Sequence, residues 1–163
     1  MVKFEKMTID DLEEHLVLQR KAFLPLLTKY HDGNFSPANI TKDEMKRRIE
    51  NPQGIYLKII VDNLCIGGIY SYACNNKTKE MYLSTIYISP NMQGYGLAQE
   101  TIKYLESICS ETKTWWLEVP ENESKNRYLY EKFGYEETGK KIIINDKLTL
   151  LIYKKLSDRD TNV

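Results

Sequence analysis

Apolar and polar residues alternate over Val2 to Met7, which predicts a strand, and Thr8, Asp10 and Asp11 follow as caps for a helix running to about Thr28. The loop KYHDGNFSPANI separates that helix from a second one, opened by the capping-box pattern Thr41-Lys42-Asp43-Glu44 and ending near Asn51. Three strand-like runs come next, Gly54 to Val61, Leu64 to Cys74 and Glu80 to Ser89. The short polar breaks between them, Asp62-Asn63 and Asn75-Asn76-Lys77, predict an antiparallel meander. After Pro90 the period changes. Leu97, Ala98, Ile102, Leu105, Ile108 and Cys109 recur at helical spacing, and TWWLEV, Thr114 to Val119, reads as the next strand. A strand, a crossover helix and a strand make a βαβ unit, so the sheet turns parallel there. Asn126, Leu129, Tyr130 and Phe133 share one face of a further helix that Gly134 ends, and Leu148 to Lys154 closes the chain as a strand. The expected class is α/β (α+β): a mixed, mostly antiparallel sheet of six to seven strands with helices on both faces.

At 163 residues the chain is long enough for one domain with its own core, so residues 1–163 are read as a single unit. Lys plus Arg and Asp plus Glu both count 23, and this zero net charge argues against nucleic acid and anionic membranes as partners. No apolar run approaches the roughly 18 residues of a membrane span, and MVKFEKMTID lacks the apolar core of a signal peptide; the expected location is the cytoplasm. Cys65, Cys74 and Cys109 are odd in number and far apart, as expected of reduced, mostly buried thiols. His15 and His31 stand alone without metal-ligand spacing, so no metal is expected.

The chemistry concentrates in SPNMQGYGLAQE, Ser89 to Glu100, where Gly94 and Gly96 stand at the mouth of the helix that follows Pro90. A helix N-terminus presents unpaired N–H groups and a positive dipole end, which favour an anion such as phosphate. A tight strand-to-helix turn explains the glycines equally well. A P-loop is excluded, because Leu97, Ala98 and Gln99 stand where its lysine and hydroxyl residue belong. A dinucleotide fingerprint fits poorly: Glu118 follows at a suitable distance, but Gln99 replaces the third glycine and an antiparallel meander precedes the turn.

The stretch Ser89 to Ala98 resembles the acetyl-CoA signature of the GNAT N-acetyltransferases, with Gln93, Gly96 and Ala98 filling its slots, and LYEKFGY, Leu129 to Tyr135, resembles their C-terminal motif. The order of elements from about residue 2 to 154 is similar to the GNAT fold, with its βαβ acetyl-CoA unit. The resemblance implies acetyl-CoA as co-substrate, its pyrophosphate cradled by Gln93, Gly94, Tyr95, Gly96, Leu97 and Ala98. It implies further that the strand before the signature diverges from its parallel neighbour and that Ile86, Tyr87 and Ile88 contact the pantetheine arm. Family members carry an asparagine seven residues before the tyrosine of LYEKFGY; this chain has Glu123 there, with Asn122 and Asn126 nearby as candidates for that cofactor contact.

Acetyl transfer from a thioester needs a neutral amine, a stabilised oxyanion and a protonated leaving thiolate. An amine of pKa near 10.4 is neutral in roughly one molecule in a thousand at pH 7, so a base must take its proton. Glu118 is the first candidate, because LEV followed by Tyr130 resembles the ribosomal-protein alanine acetyltransferases; Glu80 is the alternative. Tyr130 is the candidate general acid, a phenol that stays protonated at neutral pH. A backbone N–H near Ile86 to Ile88 is expected to hold the oxyanion. The loop Lys29 to Ile40, with Tyr30, His31, Asp32 and Phe35, is expected to choose the acceptor. A peptide α-amine, a polyamine, an amino acid and an aminoglycoside all fit that reading. The rival class is a non-catalytic acyl-CoA-binding sensor, and the exposed side of the last strand is a candidate homodimer surface.

Overall fold

A computed structural model describes residues 1–157. The elements run β1 (Val2–Lys6), α1 (Leu12–Tyr30), α2 (Lys42–Glu50), β2 (Gly54–Val61), β3 (Leu64–Asn75), β4 (Glu80–Ile88), α3 (Leu97–Ile108), β5 (Thr114–Pro120), α4 (Ser124–Lys132), β6 (Glu136–Ile143) and β7 (Thr149–Leu156). The caps foreseen in the sequence form: Thr41 Oγ1 accepts from the Glu44 amide (3.1 Å), and Thr8 with Asp11 closes a capping box ahead of α1. Gly134 ends α4 with φ +93°. The expected classes of element are all present, with one addition. β6 lies between α4 and the last strand, and its sequence EETGKKII is exposed almost throughout, so it carries no alternation to betray it.

The seven strands form one sheet in the order β1-β2-β3-β4-β5-β7-β6. Neighbours are antiparallel except β4 and β5, which run parallel. That parallel pairing covers only Glu80↔Thr114, Met81↔Trp115 and Tyr82↔Trp116. Beyond it β4 continues with β3 as far as Ile88, while β5 continues with β7 as far as Pro120. Each strand stays with its outer partner, so a wedge-shaped gap opens between them.

A β-bulge sits where the gap begins. The β3–β4 register passes from Ser71↔Leu83 to Tyr70↔Thr85, leaving Ser84 as the extra residue. The bulge inverts the phase of the strand: Met81 and Leu83 before it and Ile86 after it all pack into the core shared with Ile102 and Leu105 of α3. Thr85 and Tyr87 thereby turn to the opposite face, where Tyr87 packs with Leu12, Leu16, Met45 and Tyr56 beneath α1 and α2.

That second face holds a buried polar chain. His15 Nδ1 lies 2.7 Å from the Tyr87 hydroxyl, which lies 3.0 Å from that of Tyr56, and His15 Nε2 lies 2.9 Å from Cys65 Sγ. Glycine at 68 lets Tyr87 lie flat on β3, since a Cβ there would stand 2.5 Å from its hydroxyl. The two histidines part company: His15 is fully buried, and His31 is an exposed residue in the left-handed conformation after α1. Cys65 and Cys109 are half-buried as expected of packing thiols, whereas Cys74 is exposed near the end of β3.

Burial pushes His15 down to about 4, with Lys58 adding to the effect and Asp11 opposing it. The unfolded ring takes up a proton near 6.5 and the native ring does not, so acid favours unfolding across that window. We expect about 3 kcal/mol of stability to disappear as pH falls from 6.5 to 4. Thermal melts of His15→Gln across this range should show a shallower pH slope than the parent; equal slopes would remove His15 as the cause.

Candidate functional site

The gap between β4 and β5 joins the two faces of the sheet, and the candidate residues distribute themselves around it. Backbone groups along β4 alternate in direction. The Ser89 amide donates to Ile66 O on the β3 side (2.7 Å), so the backbone of Tyr87 faces β3 and those of Ile86 and Ile88 face the gap. The Ile88 carbonyl is already taken, by Gln93 Nε2 at 2.9 Å, which fastens the glycine turn to the end of the strand. The amides of Ile86 and Ile88 are left without a strand partner on that side. Tyr87 touches the gap with neither its ring nor, by this alternation, its backbone.

Beyond Ile88 a single turn, Pro90–Met92, leads to Gln93 and the glycines. Gly94 and Gly96 have φ of +86° and +78°, a region costly for any side chain, and a Cβ built on either meets nothing within 4 Å. The turn therefore needs glycine for its conformation and leaves open space in front of the backbone. Gly96 caps α3, and no side chain bonds the first N–H groups of this helix. Tyr95 is 74% exposed beside the turn, and the first intrahelical bond, from the Glu100 amide to Gly96 O, leaves the amides of residues 97–99 unpaired within the helix.

Tyr130 enters from α4 on the α3 face, within the core that holds Leu117 and Val119, its ring edge-on to Tyr135 at 5.9 Å. Burial alone pushes its phenol up to about 12. Its hydroxyl makes no hydrogen bond to any described residue. Glu118 stands two residues past the last β4–β5 pair, at the mouth of the gap, and points to the other face. There burial first and the Glu118 carboxylate second push the Tyr82 phenol far above its ordinary value, and Tyr72 moves the same way. Glu80 has a different setting. It begins β4, accepts from Trp116 Nε1 (2.8 Å) and Thr78 Oγ1, and these bonds hold its carboxyl below the usual range. Six residues of strand, about 20 Å, separate it from Ile86.

Asn122 and Asn126 are both exposed, at the loop before α4 and in its first turn, and their side chains make no hydrogen bonds to described residues. Glu123 makes a structural contact: Lys29 Nζ (2.7 Å) and the Tyr30 hydroxyl (2.5 Å) both donate to its Oε2. Burial raises its carboxyl and these two bonds outweigh it, so the net shift is downward. This tether docks the end of α1 onto the loop after β5. Asn145 Nδ2 adds bonds to the carbonyls of Tyr30 and His31, and Arg20 clamps Ile40 O with two donors. Of the loop residues, Phe35 is 73% exposed and Asp32 Oδ1 is buried without a partner.

A groove of ≈ 590 Å³ opens on the α2 face, lined by Glu44, Arg48, Asn51, Tyr70, Tyr72 and Ser84 among others. Ser84 is the bulge residue, so the groove ends at the gap. Reasoning from sequence missed this wall. Its one signal was the phase shift of apolar residues between Leu83 and Ile86.

The family described as acetyltransferase (GNAT) family matches residues 20–135. The chain belongs to this family. With that membership it is an acetyl-CoA-dependent acyltransferase. No curated protein matches it significantly. Among solved structures it is similar to the PaiA N-acetyltransferase of Thermoplasma acidophilum in complex with coenzyme A (18% identity, TM-score 0.76, 96% of this chain and 99% of that one). It is similar also to the spermidine N-acetyltransferase of Vibrio cholerae with CoA and spermine (18%, 0.77, 99% and 98%) and to a ribosomal-protein-alanine N-acetyltransferase of Brucella melitensis (16%, 0.77, 95% and 99%). At such identities the likeness concerns the GNAT fold.

The features of this GNAT chain fit an acyl carrier with a diphosphate: uncapped amides at α3, open space over two left-handed glycines, and unpaired strand amides leading to them. Among the described residues no cluster of His, Cys, Asp and Glu has the form of a metal site, and no helix is long and apolar enough to cross a membrane. Replacing both Gly94 and Gly96 by valine should weaken acetyl-CoA binding at least about 10-fold, because each side chain fills the space before the amides and disfavours the turn. Calorimetry measures this, and an unchanged dissociation constant would refute it.

Proposed function

We propose that this GNAT chain is an N-acetyltransferase that moves the acetyl group of acetyl-CoA to a primary amine of a small molecule or peptide by direct transfer. The observation that carries this reading is the gap beyond Tyr82 and Trp116, with a partner-free phenol on one face and a carboxylate on the other. Acetyl-CoA supplies a thioester whose carbonyl carbon accepts the amine nitrogen while the carbon–sulfur bond breaks.

The chain's own groups supply the rest. Amides of residues 94–98 bind the diphosphate, with Gln93 holding their turn to the strand, and the free edges of Ile86 and Ile88 align the pantetheine arm. The Ile86 amide, facing the gap, donates to the thioester oxygen as it gains charge. Glu118, at the wet mouth of the gap, takes the proton from the amine. Tyr130 donates its phenolic proton to the sulfur as it leaves. Glu80 is disfavoured as base because Trp116 and Thr78 occupy it and because the gap begins beyond it. The carboxylates on the groove side and the acceptor amines in the names of the spermidine and ribosomal-protein acetyltransferases support a primary amine.

Two substitutions test the roles separately, with thiol release as the readout. Tyr130→Phe should lower turnover about 10- to 1000-fold while acetyl-CoA affinity stays within a few-fold, since it removes one oxygen from an otherwise packed ring; unchanged turnover would dismiss the acid. Glu118→Gln should lower kcat/KM about 100-fold while acetyl-CoA affinity stays within a few-fold; an unchanged kcat/KM would assign the base elsewhere.

A further inference from the structure

Resting on the proposed N-acetyltransferase activity, and taking the α2-face groove that ends at Ser84 as the acceptor's way to the gap, the charges along the groove define the acceptor further. Arg48 projects from the last turn of α2, with a side chain only 20% exposed. Its guanidinium lies over the Tyr70 ring at 5.2 Å, and Nη1 donates to Thr85 Oγ1 at 3.1 Å. Thr85 adjoins the bulge residue Ser84, so the cation stands against the strand one residue before Ile86.

Among the described residues its guanidinium bonds to Thr85 through Nη1 and pairs through Nη2 with Glu44 Oε1 at 3.5 Å, a long contact to a carboxylate whose other oxygen takes Arg47, so further donors stay open. A sheltered guanidinium with unused donors beside a groove is suited to a planar oxyanion. Tyr72, a lining residue of the groove, packs ring to ring with Tyr82 at 5.3 Å on the face to which Glu118 points, and burial raises both phenols, with Glu118 adding to the shift and Arg48 opposing it. The tyrosine pair thus shares its face of the sheet with a cation, Arg48 over Tyr70, and an anion, Glu118. An acceptor bearing several positive charges meets Arg48 and Arg47 there, whereas one bearing both signs finds a partner for each.

We propose that Arg48 forms a carboxylate subsite, so that the acceptor is a small amino acid whose amine lies toward Glu118 and the gap while its carboxylate pairs with the guanidinium. The amine nitrogen bonds to the acetyl carbon, the carbon–sulfur bond breaks, and the amine proton leaves toward Glu118; the carboxylate takes no part beyond anchoring.

Thiol release from the 163-residue chain with matched pairs, each an amino acid and the amine lacking its carboxylate, tests this. Phenylalanine with phenethylamine, and lysine with cadaverine, are suitable pairs. The expected kcat/KM favours the amino acid about 10- to 100-fold, the scale of a charge-assisted pair. Arg48→Met should bring that ratio toward one by raising the KM of the amino acid, and Arg48→Lys, which keeps the charge, should restore part of it. Turnover of the carboxylate-free amines at equal or higher efficiency, with a ratio indifferent to Arg48→Met, overturns the subsite and leaves acetyl transfer standing. Absence of thiol release with every amine, in a protein that binds acetyl-CoA, overturns both.

Discussion

The divergence of β4 from β5 is the constraint on which the site depends. A parallel pair that continued beyond Tyr82 and Trp116 would join their inner edges and close the sheet. Two local features prevent this. The bulge at Ser84 adds a residue and local twist to β4, and both strands remain committed to stronger partnerships, β4 with β3 and β5 along its whole length with β7. Unpaired strand amides inside a protein are costly, so the gap is a place that demands a partner. The edges of Ile86 and Ile88 and the uncapped start of α3 make one continuous line of donors along it.

The α1/α2 face supports that line from behind. Tyr87 cannot contribute to the gap, yet its ring sets the height of the strand through His15 and Tyr56, and glycines 67 and 68 let β3 lie close beneath it. A Cβ at Gly67 would meet the Tyr87 carbonyl at 2.1 Å, which shows how closely the two backbones approach. The polar chain is satisfied member by member, the condition under which a buried network rigidifies a core. Toward the groove the same face continues through Tyr70, Tyr72 and Tyr82, so rigid packing passes without a break into the groove wall.

Local signals carried most of the fold. Thr41, Thr8 and Gly134 cap their helices as their residue types dictate, and the glycines of the signature occupy left-handed backbone that disfavours other residues. What the sequence concealed was set by contacts between distant residues. β6 has polar residues on both sides and a left-handed Gly139, so its strand character comes only from pairing with β7. Glu80 and Glu118 look alike as carboxylates on strands. Only the length of the β4–β5 pairing separates them, putting one beside Trp116 and the other at the gap. Arg48 belongs to the charged run KDEMKRRIE, which reads as a solvated helix face; packing onto Tyr70 and Thr85 makes it part of a wall.

The two faces differ in water, and the proposed division of labour follows that difference. Tyr130 is buried, and at about 12 its phenol is a weaker acid than in solution. Against a free thiolate whose thiol has a reference pKa near 8.5, transfer of that proton would run uphill by about 5 kcal/mol in water, and to a sulfur still bonded to carbon by far more. The burial that raises the phenol acts equally on a thiolate leaving beside it, since both reactions create an anion in the same dry space. The mismatch therefore narrows as the carbon–sulfur bond lengthens, so the proposed transfer from Tyr130 is a late one. A base has the opposite requirement. It must pass its proton to solvent after each turnover, and Glu118 is exposed on the side where the groove opens. The splayed sheet keeps these environments a strand's thickness apart while leaving between them the gap that the proposed transfer requires.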